Sequence, residues 1–127
     1  MQLLGAGLTH VSPGEVDIEL AFRADLVQQH GYLHAGVTAA IADSACGYAA
    51  LSLMPPEAAV LSVEFKVNML APAKGIRFLA RGRVLRSGRT ITVCRGQVLA
   101  FDERGDAKSV AEMLSTMITA RDRGIVD

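Results

Sequence analysis

The sequence predicts an α+β domain in which one long helix lies against an antiparallel β-sheet. Three observations carry this. Residues 35–54 form a run of small and apolar residues that ends at Met54-Pro55-Pro56. From Val60 to Ala120 the chain breaks into alternating runs separated by glycine-bearing turns, which is strand-and-hairpin patterning. Before the helix, Val16-Asp17-Ile18-Glu19-Leu20 alternates strictly, so one face packs and the other is wet. A chain of 127 residues is one domain by length and buries roughly two-thirds of its unfolded surface, enough for a core without staples. A single domain over 1–127 is therefore expected.

Taken in order, residues 3–11 read as a weak strand, and Ser12-Pro13-Gly14-Glu15 as a turn that pairs it with 16–20. Residues 23–33 lack a period and form a connection, in which Gly31 suits an unusual backbone angle. The helix begins near Ala35. On a wheel of about 100° per residue, Val37, Ile41, Ala45, Tyr48 and Leu51 share one face, read as the packing stripe. Gly36, Ala40, Asp43, Gly47 and Ala50 share another, so Asp43 stands alone among residues small enough to let a strand, a second subunit or a substrate approach. Proline at 55 and 56 ends the helix. Val60 to Leu70 follows, with Leu61, Val63, Phe65, Val67 and Met69 on one face and Ser62, Glu64, Lys66 and Asn68 on the other. Runs 76–85 and 90–101 are joined by Arg86-Ser87-Gly88-Arg89, and Glu103-Arg104-Gly105-Asp106 leads to 108–120. That last segment has local helix formers but hairpin spacing, and is read as a strand.

Composition narrows the function. Half the residues are apolar, a fifth are charged, and 13 basic residues balance 13 acidic ones, which argues against broad electrostatic binding to nucleic acid. Small molecules or further copies of the chain are the expected partners. Residues 35–54 are about long enough to cross a bilayer, but they carry Asp43 and are mostly Ala, Gly and Ser, so no membrane span is expected. The start of the chain lacks a signal-peptide pattern, and a cytoplasmic location is expected. Cys46 and Cys94 have no metal-type spacing and read as buried free thiols. No phosphate loop, nucleophile elbow or zinc motif occurs, and His30, His34 and Asp43 lack a fourth ligand at a sensible spacing. No metal is expected.

An ionised carboxylate buried without a partner is costly, so Asp43 is either at the surface or at a site. His34 precedes it by nine residues, about 900° of rotation and roughly 13 Å of rise on one helix. The two lie on opposite sides and meet in one site only if two subunits build it. A helix start at Ala35-Gly36 offers free N–H groups and a positive dipole end, the kind of donor that stabilises an oxyanion in acyl transfer. Lys74, Arg77, Arg81, Arg83, Arg86 and Arg89 are either a solvated strand face or a phosphate-binding rim.

Gln28-Gln29-His30-Gly31-Tyr32-Leu33-His34-Ala35-Gly36, with Asp43 nine residues after His34, resembles the N-x-x-G-x-x-H-G-G loop and following carboxylate of hotdog-fold thioesterases of the phenylacetate-pathway (PaaI-like) branch. The similarity continues through 60–64, 68–74 and 86–90 and covers roughly residues 15–119. It implies a hotdog fold, a long central helix wrapped by an antiparallel sheet, and an acyl-CoA thioesterase. It implies Asp43 as general base or nucleophile, Ser62 as the hydroxyl that helps place water, and the Ala35 N–H as the group polarising the thioester carbonyl, with His34 beside it. Acid and loop would come from different protomers of a dimer, assembled further into a dimer of dimers. Coenzyme A would enter only as part of the substrate, with no separate cofactor, and residues 69–74 and 86–90 would hold it: Lys74, Arg86, Ser87, Gly88, Arg89 and Thr90.

The chain departs from the pattern twice. Gln28 replaces the asparagine and is one methylene longer, with Gln29 adjacent. Ala35 replaces the first glycine and adds a methyl near the reacting carbon. Either change bears on substrate range and rate. Two other functions remain open: an acyl-CoA-binding module without turnover, and an acyl hydratase or dehydratase, although the Asp-Asn-Pro-x-x-His pattern of hydratases is missing.

Overall fold

The structure is a computed structural model and describes residues 1–121, so 122–127 of the expected domain lie outside the described residues. Six strands and one long helix form: β1 (Gly7–Ser12), β2 (Glu15–Ala21), α1 (Ala35–Leu51), β3 (Ala59–Met69), β4 (Arg77–Ser87), β5 (Ile91–Phe101) and β6 (Ala107–Ala120), with a 3-10 turn at Ala24–Leu26. All neighbours are antiparallel, in the order β1-β2-β4-β5-β6-β3. The strand that follows the helix thus lies at the far edge, beside the last strand. α1 crosses one face of this sheet, which is the hotdog arrangement. Among the described residues no helix is long and apolar enough to cross a membrane.

The helix sits in a trough built from paired glycines. One row across the sheet reads Val16, Gly82, Gly96, Met113, Val67 from β2 to β3. Cross-strand partners share a face, so two bare positions lie between larger side chains. Ala45 and Cys46 of α1 descend into that gap. A Cβ on Gly82 would stand 2.3 Å from the Ala45 carbonyl carbon and oxygen, and one on Gly96 would stand 3.0 Å from Cys46 Sγ. Around the trough Ile18, Leu20, Phe78, Val98 and Met117 are fully buried and close the core.

Four local readings are corrected. β1 starts at Gly7 rather than residue 3, because residues 1–6 turn back through Leu4 and Ala6 N–H bonds to the Met1 carbonyl. α1 stops at Leu51, before the prolines. The Ser52 hydroxyl donates to the Ala49 carbonyl at 2.6 Å and accepts the Gly14 N–H at 2.8 Å, which pins the helix end to the β1–β2 turn. The buried stripe is Thr38, Ile41, Ala42, Ala45, Cys46, Ala49 and Ala50, while Tyr48 is 44% exposed. Nearly every side of this helix is apolar or small, so the choice of face falls to what fits the trough, and a tyrosine ring does not.

The fourth correction concerns β3. Its alternation is broken by a bulge between Ser62 and Glu64, which adds a residue and resets the facing. Ser62 pairs with Met117, Phe65 with Ser115 and Val67 with Met113, and those β6 residues are all buried under the helix. Ser62 therefore shares the helix side with Phe65, Val67 and Met69, while Leu61 pairs with Ile118 on the outer side.

The glycine trough gives a direct test. Gly82→Ala places a methyl into the α1 backbone, and overpacking of this kind costs about 3 kcal/mol. The melting temperature is expected to fall by roughly 10 °C. An unchanged melting temperature would mean that the helix leaves room for a side chain at Gly82.

Candidate active site

The loop ahead of α1 is tightly tied. The Gln28 N–H donates to the Tyr32 carbonyl at 2.8 Å, Gly31 N–H to the Gln28 carbonyl at 3.0 Å, and His34 N–H to the Leu26 carbonyl at 2.9 Å. Gly31 takes φ +83, a left-handed angle that glycine adopts without strain. The Gln28 side-chain carbonyl accepts from the backbone N–H of His30 and, at 3.4 Å, from that of Tyr32. With its oxygen committed to the loop, Gln28 keeps its amino group for other partners. Leu33 N–H reaches the Ala73 carbonyl at 3.0 Å and ties the loop to the segment that leaves β3.

His34 is the N-cap of α1. Its Nδ1 accepts the Gly36 N–H at 2.9 Å, and its carbonyl accepts from Val37 and Thr38. Of the two donors expected at Ala35-Gly36, Gly36's is thus taken by the cap. Among the described residues the Ala35 N–H has no partner. A neutral His34 ring that accepts at Nδ1 carries its proton on Nε2. A concavity of about 520 Å³ adjoins this helix start, with Gln28, Tyr32, Ala35, Thr38 and residues 69–73 in its lining. Gln29 is exposed and stands outside that lining.

Asp43 is partly buried on the flank of α1 that faces β3. Its Oδ1 accepts the Ser62 hydroxyl at 2.7 Å, and Ser62 Oγ also lies 3.3 Å from Met117 Sδ. Among the described residues no cation pairs with Asp43. The carboxylate opens on a second concavity, about 240 Å³, lined by Asp43, Ser44, Gly47, Tyr48, Val60 and Ser62. No residue is common to the two concavities. Within one chain the structure joins Asp43 with Ser62 and Gln28 with Ala35, but keeps the two pairs apart: eight residues of helix, roughly 12 Å of rise, lie between Ala35 and Asp43, and their concavities border opposite ends of β3. His30, His34 and Asp43 are not gathered either: among the described residues no three His, Cys, Asp or Glu side chains could hold a metal ion together.

The basic residues divide. Arg83 pairs with Asp17 at 2.7 Å, and Arg77 lies 3.7 Å from Glu19 and over the Phe101 ring, so these belong to the charged outer face of the sheet. Lys74 and Arg89 do not meet. β4 lies between them, and its eleven residues span roughly 33 Å. Lys74 borders a concavity with Asp102, Glu103 and Arg104, where carboxylates oppose a phosphate. Arg89 and Thr90 border a depression with Thr119 and Arg121. Val60, which lines the Asp43 concavity, pairs with Thr119, so this second cluster adjoins Asp43. Arg86, Ser87 and Gly88 lie at the same end, where the Gly88 N–H donates to the Ile91 carbonyl at 2.8 Å.

The sequence places Gly47 on the Asp43 face, and the structure agrees; sequence reasoning missed Tyr48 and Val60 beside Asp43, having put Tyr48 on the packing stripe, and Arg121 beside Arg89. Arg121 and Val60 come near through strand register, which no local pattern reveals.

A central helix on an antiparallel sheet, with an acid–hydroxyl pair on its flank and a capped loop at its start, defines a hotdog protein with the groups that acyl chemistry needs. The chain belongs to the Thioesterase superfamily, whose profile matches residues 30–107, and is a hydrolase of that family. It is 47% identical to a thioesterase family protein from Silicibacter pomeroyi of known crystal structure, with a TM-score of 0.93 over 95% of this chain and 88% of that one. A putative esterase from Halobacterium salinarum is 30% identical over 113 residues, 85% of this chain and 74% of the relative. The 1,4-dihydroxy-2-naphthoyl-CoA hydrolase of Listeria monocytogenes is 25% identical over 92 residues, 72% of this chain and 75% of the enzyme.

Cys46 and Cys94, both free and buried, take no part in these concavities. Burial pushes the Cys46 thiol up to about 11, with the Asp43 charge adding to the rise. The Ser115 hydroxyl opposes the rise as a hydrogen-bonding neighbour of the thiolate. Burial likewise pushes Cys94 up to about 12. Folding thus holds both protons where the unfolded chain would release them. That contribution to stability is complete below the ordinary thiol value of 9.0 and is lost as pH rises from there toward 11 and 12. Two outcomes are expected: neither thiol reacts with Ellman's reagent in the native protein at pH 8, and both react after denaturation. Fast reaction of either native thiol would contradict this placement.

Proposed function

We propose that this protein hydrolyses acyl-CoA thioesters at a site completed by a second copy of the chain, with Asp43 of one subunit facing the Gln28–Gly36 loop of the other. The observation that carries the reading is the Asp43–Ser62 hydrogen bond, 2.7 Å. It leaves an unneutralised carboxylate beside a hydroxyl at an open concavity by the start of β3, whereas the unpartnered Ala35 N–H borders the concavity at the other end of that strand. Asp43 removes a proton from water while the water oxygen bonds to the thioester carbonyl carbon, and Ser62 holds the carboxylate and the water in line. The carbonyl oxygen, now negative, is received by the Ala35 N–H and by the Gln28 amino group, with the helix dipole behind them. Collapse of the tetrahedral intermediate breaks the carbon–sulfur bond. The thiolate of coenzyme A leaves and takes the proton from Asp43. Direct attack by Asp43, through an anhydride that water then opens, uses the same groups.

Self-association has a surface suited to it. β3 is an edge strand, and on its helix side Phe65 and Met69 are 42% and 44% exposed. An apolar edge of that kind invites pairing with a like edge. A two-fold dimer through β3 would bring the end of one subunit that bears Ala35 and Lys74 to the end of the other that bears Asp43, Arg86, Arg89 and Thr90. The basic groups that one chain holds far apart would then flank one coenzyme A. Assembly into a dimer of dimers and membership of the PaaI-like branch rest on the motif resemblance. The naphthoyl-CoA hydrolase relative makes aryl-acyl groups a natural part of the substrate panel, alongside small and medium aliphatic ones.

Asp43→Asn is expected to lower kcat/KM for acyl-CoA by about a thousandfold, with fold and oligomeric state unchanged, and Ser62→Ala by about tenfold, both followed as free thiol release. Retained turnover in Asp43→Asn would sink the assignment, and binding without thiol release in the wild type would favour a binding module instead. The composite site has its own test. Proline is tolerated at the first helical position, so Ala35→Pro deletes the one N–H without breaking α1. Neither this variant nor Asp43→Asn should work alone. Mixed with subunit exchange, they should regain about a quarter of wild-type activity, because each two-fold hybrid holds one intact site. No recovery despite proven exchange would place both half-sites in one chain.

A further inference from the structure

Gly47 is a glycine without a reason inside its own chain. Glycine in a helix interior is less stable than alanine there, so its presence calls for a steric or conformational cause. The other glycines supply one. Gly82 and Gly96 clear the helix, Gly75 and Gly88 would meet backbone oxygens at 2.6 Å, Gly36 would meet the His34 ring at 3.1 Å, and Gly5, Gly14, Gly31 and Gly105 have positive φ. Among the described residues only Gly7, on an edge strand, and Gly47 have an ordinary φ and nothing within 4 Å of an added Cβ. Gly47 lies one helical turn beyond Asp43, and both line the concavity that Tyr48 and Val60 border. Residues four apart on a helix are about 6 Å from each other. The open space above Gly47 is therefore where the first carbons of an acyl group would lie when its carbonyl carbon is near Asp43.

Resting on the thioesterase reading above, we propose that Gly47 is a specificity-determining residue. Its bare backbone is the floor on which the acyl group lies, with the Tyr48 ring and Val60 as walls, and it admits acyl groups that are wide just beyond the carbonyl, either ring-bearing or branched. A linear chain does not need this clearance. The alternative occupant of the space is the backbone of a second copy of the chain, packed close against α1.

Gly47→Ala separates these. The methyl enters open space in the chain and improves helix propensity, so the melting temperature is expected to rise by about 3 °C. At the same time the ratio of kcat/KM for benzoyl-CoA or isobutyryl-CoA to that for acetyl-CoA is expected to fall at least about tenfold, the scale on which a hydrophobic pocket senses one methyl. Gly47→Val should deepen the loss for the wide substrates. A ratio within twofold of wild type in both variants would overturn the proposal while leaving the hydrolase assignment intact. A lowered melting temperature, or dissociation of the oligomer on size-exclusion chromatography, would overturn it in favour of the second copy. Wild-type protein that hydrolyses no acyl-CoA in the panel would remove the hydrolase reading and this proposal together.

Discussion

The contact between Ala45-Cys46 and the Gly82–Gly96 pair sets the geometry on which the rest depends. Two glycines opposite each other on β4 and β5 remove the side chains that would otherwise keep a helix at its usual height above a sheet. The helix backbone comes down until its carbonyls nearly touch the β4 backbone. That contact fixes the rotation of α1 as well as its height. Once Ala45 and Cys46 face the trough, Asp43 is carried round to the flank toward β3, within reach of Ser62. Tyr48 is carried outward. The helix is then held at both ends, by the His34 cap at its start and by the Ser52 hydroxyl bridging to Gly14 at its end. A helix fixed in height, rotation and length is a ruler, and the positions of Ala35 and Asp43 are two marks on it.

The bulge in β3 is the second constraint, and it acts on the same atom pair. With unbroken alternation Ser62 would point to the outer face together with Glu64 and Lys66, and Asp43 would have no hydroxyl beside it. The extra residue between Ser62 and Glu64 turns Ser62 inward while leaving Phe65, Val67 and Met69 also inward. The hydroxyl that bonds Asp43 and an exposed apolar strip thus share one face of one edge strand. Bulges re-aim side chains in this way near active sites and edges.

Much of this was legible in the sequence, for identifiable reasons. Strands separated by glycine turns, and a run of helix that must end before two prolines, have local causes, so element order and the hairpin pairings could be read directly, whereas the β2–β4 and β3–β6 pairings could not. Asp43 could be singled out because a lone acid in an apolar run has no local explanation, and the half-turn between positions 34 and 43 follows from helix geometry alone. The facing of α1 was not legible. Its sides differ too little in hydrophobicity, and the deciding partner, Gly82 with Gly96, is more than thirty residues away in the chain. The bulge at Ser62 was hidden for a similar reason, because register is set by β6 and not by the strand's own pattern. The distance between Lys74 and Arg89 was hidden as well: both flank the same strand in sequence, and only the length of that strand shows that they serve opposite ends of the sheet.

The departures from the H-G-G motif make structural sense in the same terms. Its first glycine is Ala35 here and its second remains Gly36. The two positions are not equivalent. A Cβ on Gly36 would come 3.1 Å from His34 Nδ1, crowding the ring that caps the helix and accepts the Gly36 N–H. Displacing that ring would loosen the cap and with it the direction of the neighbouring Ala35 N–H. At position 35 the methyl is accommodated at the edge of the loop-side concavity, and the N–H is untouched. The residue that changed is the one whose change leaves the cap intact, and its methyl lines the space next to the donor. The cap therefore fixes the direction of the Ala35 N–H, the donor proposed to receive the oxyanion, while the side chain at 35 stays at the edge of the concavity.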